Sequence, residues 1–221
     1  MRPRLLRLGW WFLVSLVATA AFVSAAPFGS VHWTKNPSIT VLSEAGDPRI
    51  EAVREAIAFW NRTFAELGTP FQLGEVAFVT GSVPDRDIQS LGNQVRYRNP
   101  LPTIPASLAG FPGDMLIVLS NAQFISYTAR REGRVIVAIK NGSTPPLVLP
   151  NVLRNVVAHE LGHGVGLGHN RDPKLLMCGR PASCRPDAFE STSHRFFPLS
   201  EQERSHLLTL YPQNWTARAR D

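Results

Sequence analysis

Apolar residues recur at helical spacing in three parts of this 221-residue chain. The clearest stripe begins after Asp47, a suitable N-cap residue, and ends at Gly68, which is typical of a helix C-terminus. A second helix is predicted from Asn151 onwards. A third is predicted in LSEQERSHLLTLY, where Ser200 and Glu203 have the spacing of a capping box. The pattern therefore predicts three helices.

Runs of apolar and β-branched residues predict strands before, between and after these helices. The strands are expected at residues 31–33, 39–42, 71–81, 114–120 and 135–140, with a turn at 132–133. Residues 82–113 are rich in Pro, Gly, Asn and Ser, so we predict a long connection there. Strands mixed with one early helix and followed by two late helices indicate an α+β domain, with the helices packed on a small sheet.

The first 25 residues have the pattern of a secretory signal peptide. MRPRLLR is basic, LGWWFLVSLVATAAFV is apolar, and small residues precede the expected cleavage after Ala25. An uncleaved membrane anchor is the alternative, because the apolar run is nearly long enough to span a bilayer. We predict a signal peptide at 1–25 and one domain at 26–221, located outside the cell or, in a bacterial host, in the periplasm.

Charge and composition restrict the partners of this domain. Arg2, Arg4 and Arg7 belong to the predicted signal peptide, and their removal lowers the formal net charge from +6 to +3. The remaining chain has no dense Lys/Arg block, so a basic surface-binding function has little support and we expect no nucleic-acid binding. We also expect a monomer without stable membrane association after signal cleavage.

The chain has two cysteines, Cys178 and Cys184, which close the short segment CGRPASC. An even cysteine count in an exported protein predicts a disulfide. Two free thiols or a pair of metal ligands are the alternatives, although two cysteines alone do not complete a structural zinc site.

The stretch AHELGHGVGLGHN carries the candidate chemistry. His159 and His163 are four residues apart in the predicted helix, so both imidazoles project from one face and can bind the same zinc ion. Glu160 lies beside the first ligand, where its carboxylate can take a proton from a zinc-activated water. Gly166 can end the helix and turn the chain back, which makes His169 the third ligand and leaves a fourth position open.

The full spacing H-E-x-x-H-x-x-G-x-x-H, with Met177 eight residues after His169, resembles the metzincin zinc metalloproteases. The link HNRDPKLLM and the helix LSEQERSHLLTLYP are similar to those of the matrixins, the peptidase M10 type, and the specific match covers residues 150–212. The resemblance implies a metzincin-like catalytic domain at 26–221 with a small twisted mixed sheet of five strands and three helices. It also implies a substrate along an edge strand and Met177 beneath the metal histidines.

These residues predict a secreted zinc endopeptidase that acts on proteins or peptides. One catalytic zinc ion would bind His159, His163 and His169, and Glu160 would act as the general base. A calcium ion is not indicated. The alternative is a catalytically inactive zinc-binding interaction module with a protease fold, against which the presence of Glu160 argues.

The chain departs from the matrixin pattern at two places. Asn170 follows the third histidine, where Ser or Thr is usual, and Cys178-Gly179 follows the methionine, where Tyr-Pro is usual. Because the second segment shapes the wall of the pocket for the residue after the cleaved bond, specificity does not carry over from that family.

Overall fold

The computed structural model describes residues 32–131, 133–143, 145–179, 183–185 and 194–218, so the predicted signal peptide at 1–25 lies outside it. The elements follow in the order β1 (Ile39–Ser43), α1 (Arg49–Glu66), β2 (Val76–Thr80), α2 (Asp85–Arg96), α3 (Ala106–Ala109), β3 (Met115–Leu119), β4 (Tyr127–Arg131), β5 (Arg134–Ile139), α4 (Pro150–Gly164) and α5 (Glu201–Leu210).

The strands form one mixed sheet in the order β2-β1-β3-β5-β4. Strands β2, β1, β3 and β5 run parallel to one another, and the edge strand β4 is antiparallel to β5. Strands β3 and β5 are almost entirely apolar, as expected for strands buried on both faces. Ile117 and Val137 face the larger core, whereas Leu116 and Ile136 face the smaller core on the other side of the sheet. The α+β class is confirmed.

The helix that carries the histidine motif lies in the larger core. Helices α1 and α4 pack against each other there, and the indole Nε1 of the buried Trp60 donates to the carbonyl of Ala158, 2.9 Å away. At the end of α5, the Tyr211 hydroxyl donates to the carbonyl of Val165, at 3.0 Å. Helices α1 and α5 therefore hold α4 at both ends of its histidine-bearing segment, at Ala158 and at Val165.

The predicted ends of α1 and α5 agree with the structure. An Asp47 carboxylate oxygen accepts a hydrogen bond from the backbone N–H of Arg49, at 2.9 Å, and Gly68 follows the helix with a φ of 73°. Both hydrogen bonds of the capping box are formed between Ser200 and Glu203. At the N-termini of both helices, side chains of nearby residues accept hydrogen bonds from backbone N–H groups that have no partner within the helix.

The prediction of one long connection over residues 82–113 is wrong, because α2 and α3 lie within it. Helix α2 buries only Ile88 and Leu91 beneath a largely polar surface. Gly92 sits in its middle, where a Cβ atom would lie 2.7 Å from the Tyr127 ring. Two buried apolar residues give only a weak helical periodicity, and glycine disfavours a helix, so the sequence does not predict α2. The described part of the chain thus contains two helical segments beyond the three predicted.

Strand β4 and the N-terminal region also differ from the prediction. No strand is predicted between residue 120 and the turn at 132–133. Tyr127–Arg131 nevertheless forms the edge strand, whose last two residues are arginines. His32 and Trp33 are not in a strand, and residue 31 lies outside the described residues. The Trp33 indole instead enters the core and donates to the carbonyl of Gly164, at 2.9 Å.

The strand predicted over residues 71–81 is confined to Val76–Thr80. Gly133 supports the predicted turn with a φ of 76°, whereas residue 132 lies outside the described part. No helix among the described residues combines the length and hydropathy needed to cross a membrane.

Candidate active site

Helix α4 presents two histidines on one face. Pro150 occupies its first turn, where the missing N–H costs no helical hydrogen bond. Val157, Ala158 and Leu161 are fully buried in the larger core, which fixes the rotation of the helix. His159 and His163 lie one turn apart on the same face of this helix, and their Nε2 atoms are 3.1 Å apart.

A glycine bend returns the chain to these two histidines. Gly166 has a φ of 105°, and a Cβ atom there would lie 2.7 Å from a methyl group of Leu210. The N–H of Leu167 donates to the carbonyl of Gly162, at 2.9 Å, which closes the end of α4. The bend brings the Nε2 atom of His169 within 3.1 Å of that of His159 and within 3.0 Å of that of His163.

Hydrogen bonds to backbone carbonyls orient two of the three imidazoles as metal ligands. Nδ1 of His159 lies 2.8 Å from the carbonyl of Leu176, and Nδ1 of His163 lies 2.8 Å from the carbonyl of Leu167. A carbonyl only accepts hydrogen bonds, so both Nδ1 atoms carry the proton and both Nε2 atoms present a lone pair. The three Nε2 atoms lie 3.0–3.1 Å apart, which fits a zinc ion, whose tetrahedral ligands stand about 3.3 Å apart.

Burial keeps these histidines neutral. It lowers the pKa of His163 to about 4, with a further contribution from the charge of His169. Burial is also the main cause that holds the pKa of His159 well below its usual value, and it lowers the pKa of His169. Metal ligation requires unprotonated imidazole, so the cluster is ready to bind zinc at neutral pH.

Glu160 projects from the same helical turn towards the edge strand β4. Its Oε2 atom accepts a hydrogen bond from the Thr128 hydroxyl at 2.9 Å, and the side chain is almost fully buried. Burial raises the pKa of Glu160 to about 7, and the hydrogen bond from Thr128 acts in the opposite direction. A carboxyl group that titrates near neutral pH is suited to both accepting and returning a proton.

The Met177 side chain packs against Gly162, which lies between His159 and His163 in α4. This side chain is fully buried, and a Cβ atom added to Gly162 of α4 would lie 2.5 Å from its sulfur. The glycine between the two helical histidines therefore makes room for the methionine. This contact gives α4 a close apolar support under the candidate metal ligands.

The segment after the third histidine is tied to α5. The side-chain amide of Asn170 donates to Oε1 of Glu203, at 2.6 Å, while Oε2 of Glu203 accepts from the N–H of Ser200 in the capping box. Asn170 also pairs with Cys178 in an isolated parallel bridge. The departure from Ser or Thr at this position thus connects the third ligand to a buried carboxylate on another helix.

The predicted disulfide between Cys178 and Cys184 is present. Gly179, inside the loop that it closes, contacts the His169 ring so closely that a Cβ atom would lie within 2.3 Å of Cγ of the imidazole. The loop closed by the disulfide therefore lies directly on His169.

Two contributors to the site, Thr128 and Arg185, are absent from the sequence prediction, whereas Gly179 appears there only as part of the segment that shapes the pocket wall. Thr128 lies in β4, a strand that the sequence analysis does not predict. It lies beside Glu160 because β4 forms the edge of the sheet next to α4. Nη1 of Arg185 donates to the carbonyls of Leu176, at 2.5 Å, and Cys178, at 3.2 Å. The predicted disulfide and the position of this segment directly after Met177 are the sequence signals that place it near the three histidines.

No protein-family model matches this chain, and no curated protein matches it. Among solved structures, the chain is similar to archaemetzincin from Methanopyrus kandleri, with 18% identity, 81% of this chain and 95% of that chain covered, and a TM-score of 0.48. It is also similar to metalloproteinase-II from Bacteroides fragilis, with 14% identity, coverage of 83% and 56%, and a TM-score of 0.45.

A further similarity is to a chain described as a chaperone-substrate complex, with 14% identity, coverage of 66% and 28%, and a TM-score of 0.44. This chain therefore spans nearly all of the archaemetzincin, about half of the metalloproteinase and about a quarter of the third structure. Similarities of this extent do not establish an activity, so the chemistry rests on the site residues themselves.

Proposed function

We propose that this protein is a zinc-dependent endopeptidase. The observation that carries the proposal is the cluster of His159, His163 and His169, whose Nε2 atoms lie within 3.1 Å of one another. The described residues offer three ligands in this group rather than the four of a structural zinc site, which leaves a position for reactants. Glu160, on the same helical turn, supplies the acid–base group that hydrolysis requires.

A bound zinc ion supplies Lewis acidity, which lowers the pKa of water towards neutrality and polarises a carbonyl group. Glu160 takes a proton from the attacking water and then passes it to the leaving amine. Thr128 orients the carboxylate through its hydrogen bond of 2.9 Å. The Leu176 and Leu167 carbonyls hold the imidazoles of His159 and His163 in the ligating tautomer.

We also propose that the protein is exported, with a signal peptide at 1–25 and a domain at 26–221, and that it acts as a monomer on extracellular or periplasmic polypeptides. The disulfide supports export, because such bonds persist in oxidising compartments. A matrixin-like relationship within the metzincins is supported by the motif spacing, the short link to Met177 and helix α5.

The direct test uses the mature chain in three forms: as purified in zinc-replete medium, stripped with a chelator, and reconstituted with zinc. Elemental analysis is expected to give about one zinc per chain, from the single three-histidine set. Cleavage of unfolded casein and of a randomised peptide library should disappear on stripping and return on reconstitution. His163→Ala should lose zinc and cleavage together, whereas His206→Ala, which removes a histidine outside the cluster, should lose neither.

Two results would reject the proposal in different ways. A mature protein that binds no zinc at neutral pH would show that the histidine cluster is not a metal site. A protein that binds zinc and cleaves nothing across a broad library would instead be the inactive zinc-binding module.

A further inference from the structure

Arg185 lies in the active-site region, yet neither metal ligation nor proton transfer uses it. Its Nη1 atom donates to the carbonyl of Leu176, at 2.5 Å. The same carbonyl lies 2.8 Å from Nδ1 of His159. A single carbonyl oxygen therefore stands between the guanidinium and the imidazole of a candidate metal ligand.

The chain holds Arg185 in place at several points. Its backbone N–H donates to the carbonyl of Pro173, at 2.7 Å, and the preceding residue, Cys184, is bonded to Cys178. The φ of Arg185 is 53°, in the left-handed region that residues other than glycine seldom adopt. An unusual backbone conformation kept beside a functional site is a reason to seek a function for that residue, and a side chain held in this way is pre-organised for binding.

The guanidinium retains hydrogen-bond donors for a ligand. Arginine carries five N–H donors, and neither Nε nor Nη2 of Arg185 donates to any residue that the structure describes. Arg185 is only partly buried, and neither Nε nor Nη2 is among the fully buried side-chain atoms without a partner in the described part of the chain. Among the described residues, the side chain forms no ion pair with Glu160, whose Oε2 atom instead accepts a hydrogen bond from Thr128.

The positive charge of Arg185 influences the pKa of His169 and that of Glu160. After burial, it is the next cause that lowers the pKa of His169. It also opposes the effect of burial on the pKa of Glu160, after the hydrogen bond from Thr128. An anionic group bound by this guanidinium would therefore lie within electrostatic range of the candidate metal ligands and the general base.

We propose that Arg185 is a specificity-determining residue that binds a carboxylate of the substrate next to the cleaved peptide bond. This inference rests on the proposed peptidase function. A planar guanidinium matches a carboxylate through two parallel hydrogen bonds, which neutral side chains do not reproduce. The carboxylate belongs either to an Asp or Glu side chain or to the C-terminus of a short peptide, and the two sources are separable by the position of the cleaved bond.

The test uses zinc-loaded mature protein and randomised octapeptides in which each position in turn is fixed as Glu, Gln or Lys, with the C-terminus as acid or amide. Mass spectrometry locates the cleaved bond, and kcat and KM are measured for the selected pairs. The wild type should prefer Glu over Gln at one position beside the cleaved bond, or the acid over the amide, by about tenfold or more, the usual effect of a hydrogen bond to a charged group.

Four variants separate a specificity role from a structural one. Arg185→Gln should lose the preference mainly through KM, Arg185→Lys should keep part of it, and Arg185→Glu should favour Lys over Glu. Arg171→Gln removes the same charge from an exposed neighbouring position and should keep the preference. A purely structural role would instead lower the cleavage of all peptides alike in the Arg185 variants and produce no reversal, and that result would overturn the proposal.

A binding measurement keeps this inference distinct from the peptidase proposal. Fluorescence anisotropy with labelled Glu, Gln, acid and amide peptides is measured on zinc-loaded Glu160→Gln, with and without Arg185→Gln. If the wild type cleaves no peptide, the peptidase proposal fails, whereas an Arg185-dependent preference in binding still supports the carboxylate site. Equal binding and equal cleavage of the carboxylate and amide forms would overturn the Arg185 proposal even in an active peptidase.

Discussion

The Thr128 hydroxyl lies 2.9 Å from Oε2 of Glu160 and 2.8 Å from the backbone carbonyl of the same residue. One side chain of the edge strand β4 thus meets both the carboxylate and the backbone of the catalytic turn in α4. Because a hydroxyl has a single proton to donate, the carboxylate and the carbonyl share it. Thr128 therefore links sheet and helix at the atom whose protonation controls the proposed reaction.

Thr128→Val should move the acidic limb of the pH profile of kcat/KM to higher pH. A hydrogen bond to a carboxylate favours its charged form, so removing this bond raises the pKa of Glu160. The expected displacement is about one pH unit, the equivalent of one hydrogen bond to a charged group. From a pKa of about 7, this displacement lowers activity about ninefold near pH 6 and about twofold near pH 8, with little change above pH 9. Thr209→Val, which removes an exposed hydroxyl on α5, is the matched control, and an acidic limb at the wild-type position would refute the role of Thr128.

Gly179→Ala should weaken zinc binding. A Cβ atom at this position would lie 2.3 Å from Cγ of the His169 ring, so either the loop or the imidazole must move. Misplacing one of three ligands lowers metal affinity, and we expect a loss on the order of 10- to 100-fold, as for other disturbances around a metal ligand. A competitive chelator titration measures it.

The control for this change is Gly168→Ala, in the residue next to His169. A Cβ atom there has no neighbour within 4 Å, so the same substitution should leave the zinc affinity unchanged. Equal affinities in both variants would show that the loop does not constrain the third histidine.

Asn170→Ala should lower both stability and zinc affinity. The substitution removes the 2.6 Å hydrogen bond to Glu203 and leaves one oxygen of a buried carboxylate without that partner. The expected loss in the free energy of unfolding is about 1–3 kcal/mol. Asn93→Ala, at an exposed position of α2, provides the control in urea denaturation. Unchanged stability of Asn170→Ala would mean that the link between the third ligand and α5 contributes nothing.

The sequence predicts that the three histidines come together because their geometry is local. His159 and His163 need only a helix, and His169 needs only the bend at Gly166, so spacing along the chain determines all three positions. The capping box at Ser200 is local in the same sense. Helix α2 escapes prediction because its stripe contains few apolar residues and includes Gly92, which is explained only by the Tyr127 ring packed against it.

Contacts between distant segments account for the remaining differences. Thr128 reaches Glu160 across 32 residues, and no periodicity in the sequence relates them. Arg185 lies nine residues after Leu176, yet its position beside the site depends on the disulfide and on a positive φ. Such contacts depend on the order of strands in the sheet and on the disulfide that closes the loop. The pattern of apolar residues along the chain does not predict either of them.

The metal-free protein should lose stability as the pH falls from 7 towards 5. The folded protein holds the pKa of His163 at about 4, and those of His159 and His169 below their usual value, mainly through burial. The unfolded chain therefore binds more protons at these histidines below about pH 6.5, and the free energy of unfolding decreases as the pH falls. Melting temperatures of the chelator-treated protein at pH 7.5, 6 and 5 measure this loss.

Glu160 acts in the opposite sense, because burial raises its folded pKa to about 7 and the folded protein binds the extra proton. Metal-free Glu160→Gln should accordingly lose stability more steeply over the same range. A melting temperature that stays constant or rises on acidification of the metal-free wild type would contradict the burial of neutral histidines.

The most direct measurement of the central claim compares zinc content and peptide cleavage in the wild type and Glu160→Gln. Glutamine keeps the size of the side chain but does not accept the proton of water, while the three histidines are untouched. Zinc content should remain at about one per chain, and kcat/KM should fall on the order of 10²- to 10⁴-fold, the usual contribution of a general base. Glu201→Gln, an exposed carboxylate on α5, should retain full activity. Cleavage by zinc-loaded Glu160→Gln at the wild-type rate would contradict the proposed mechanism.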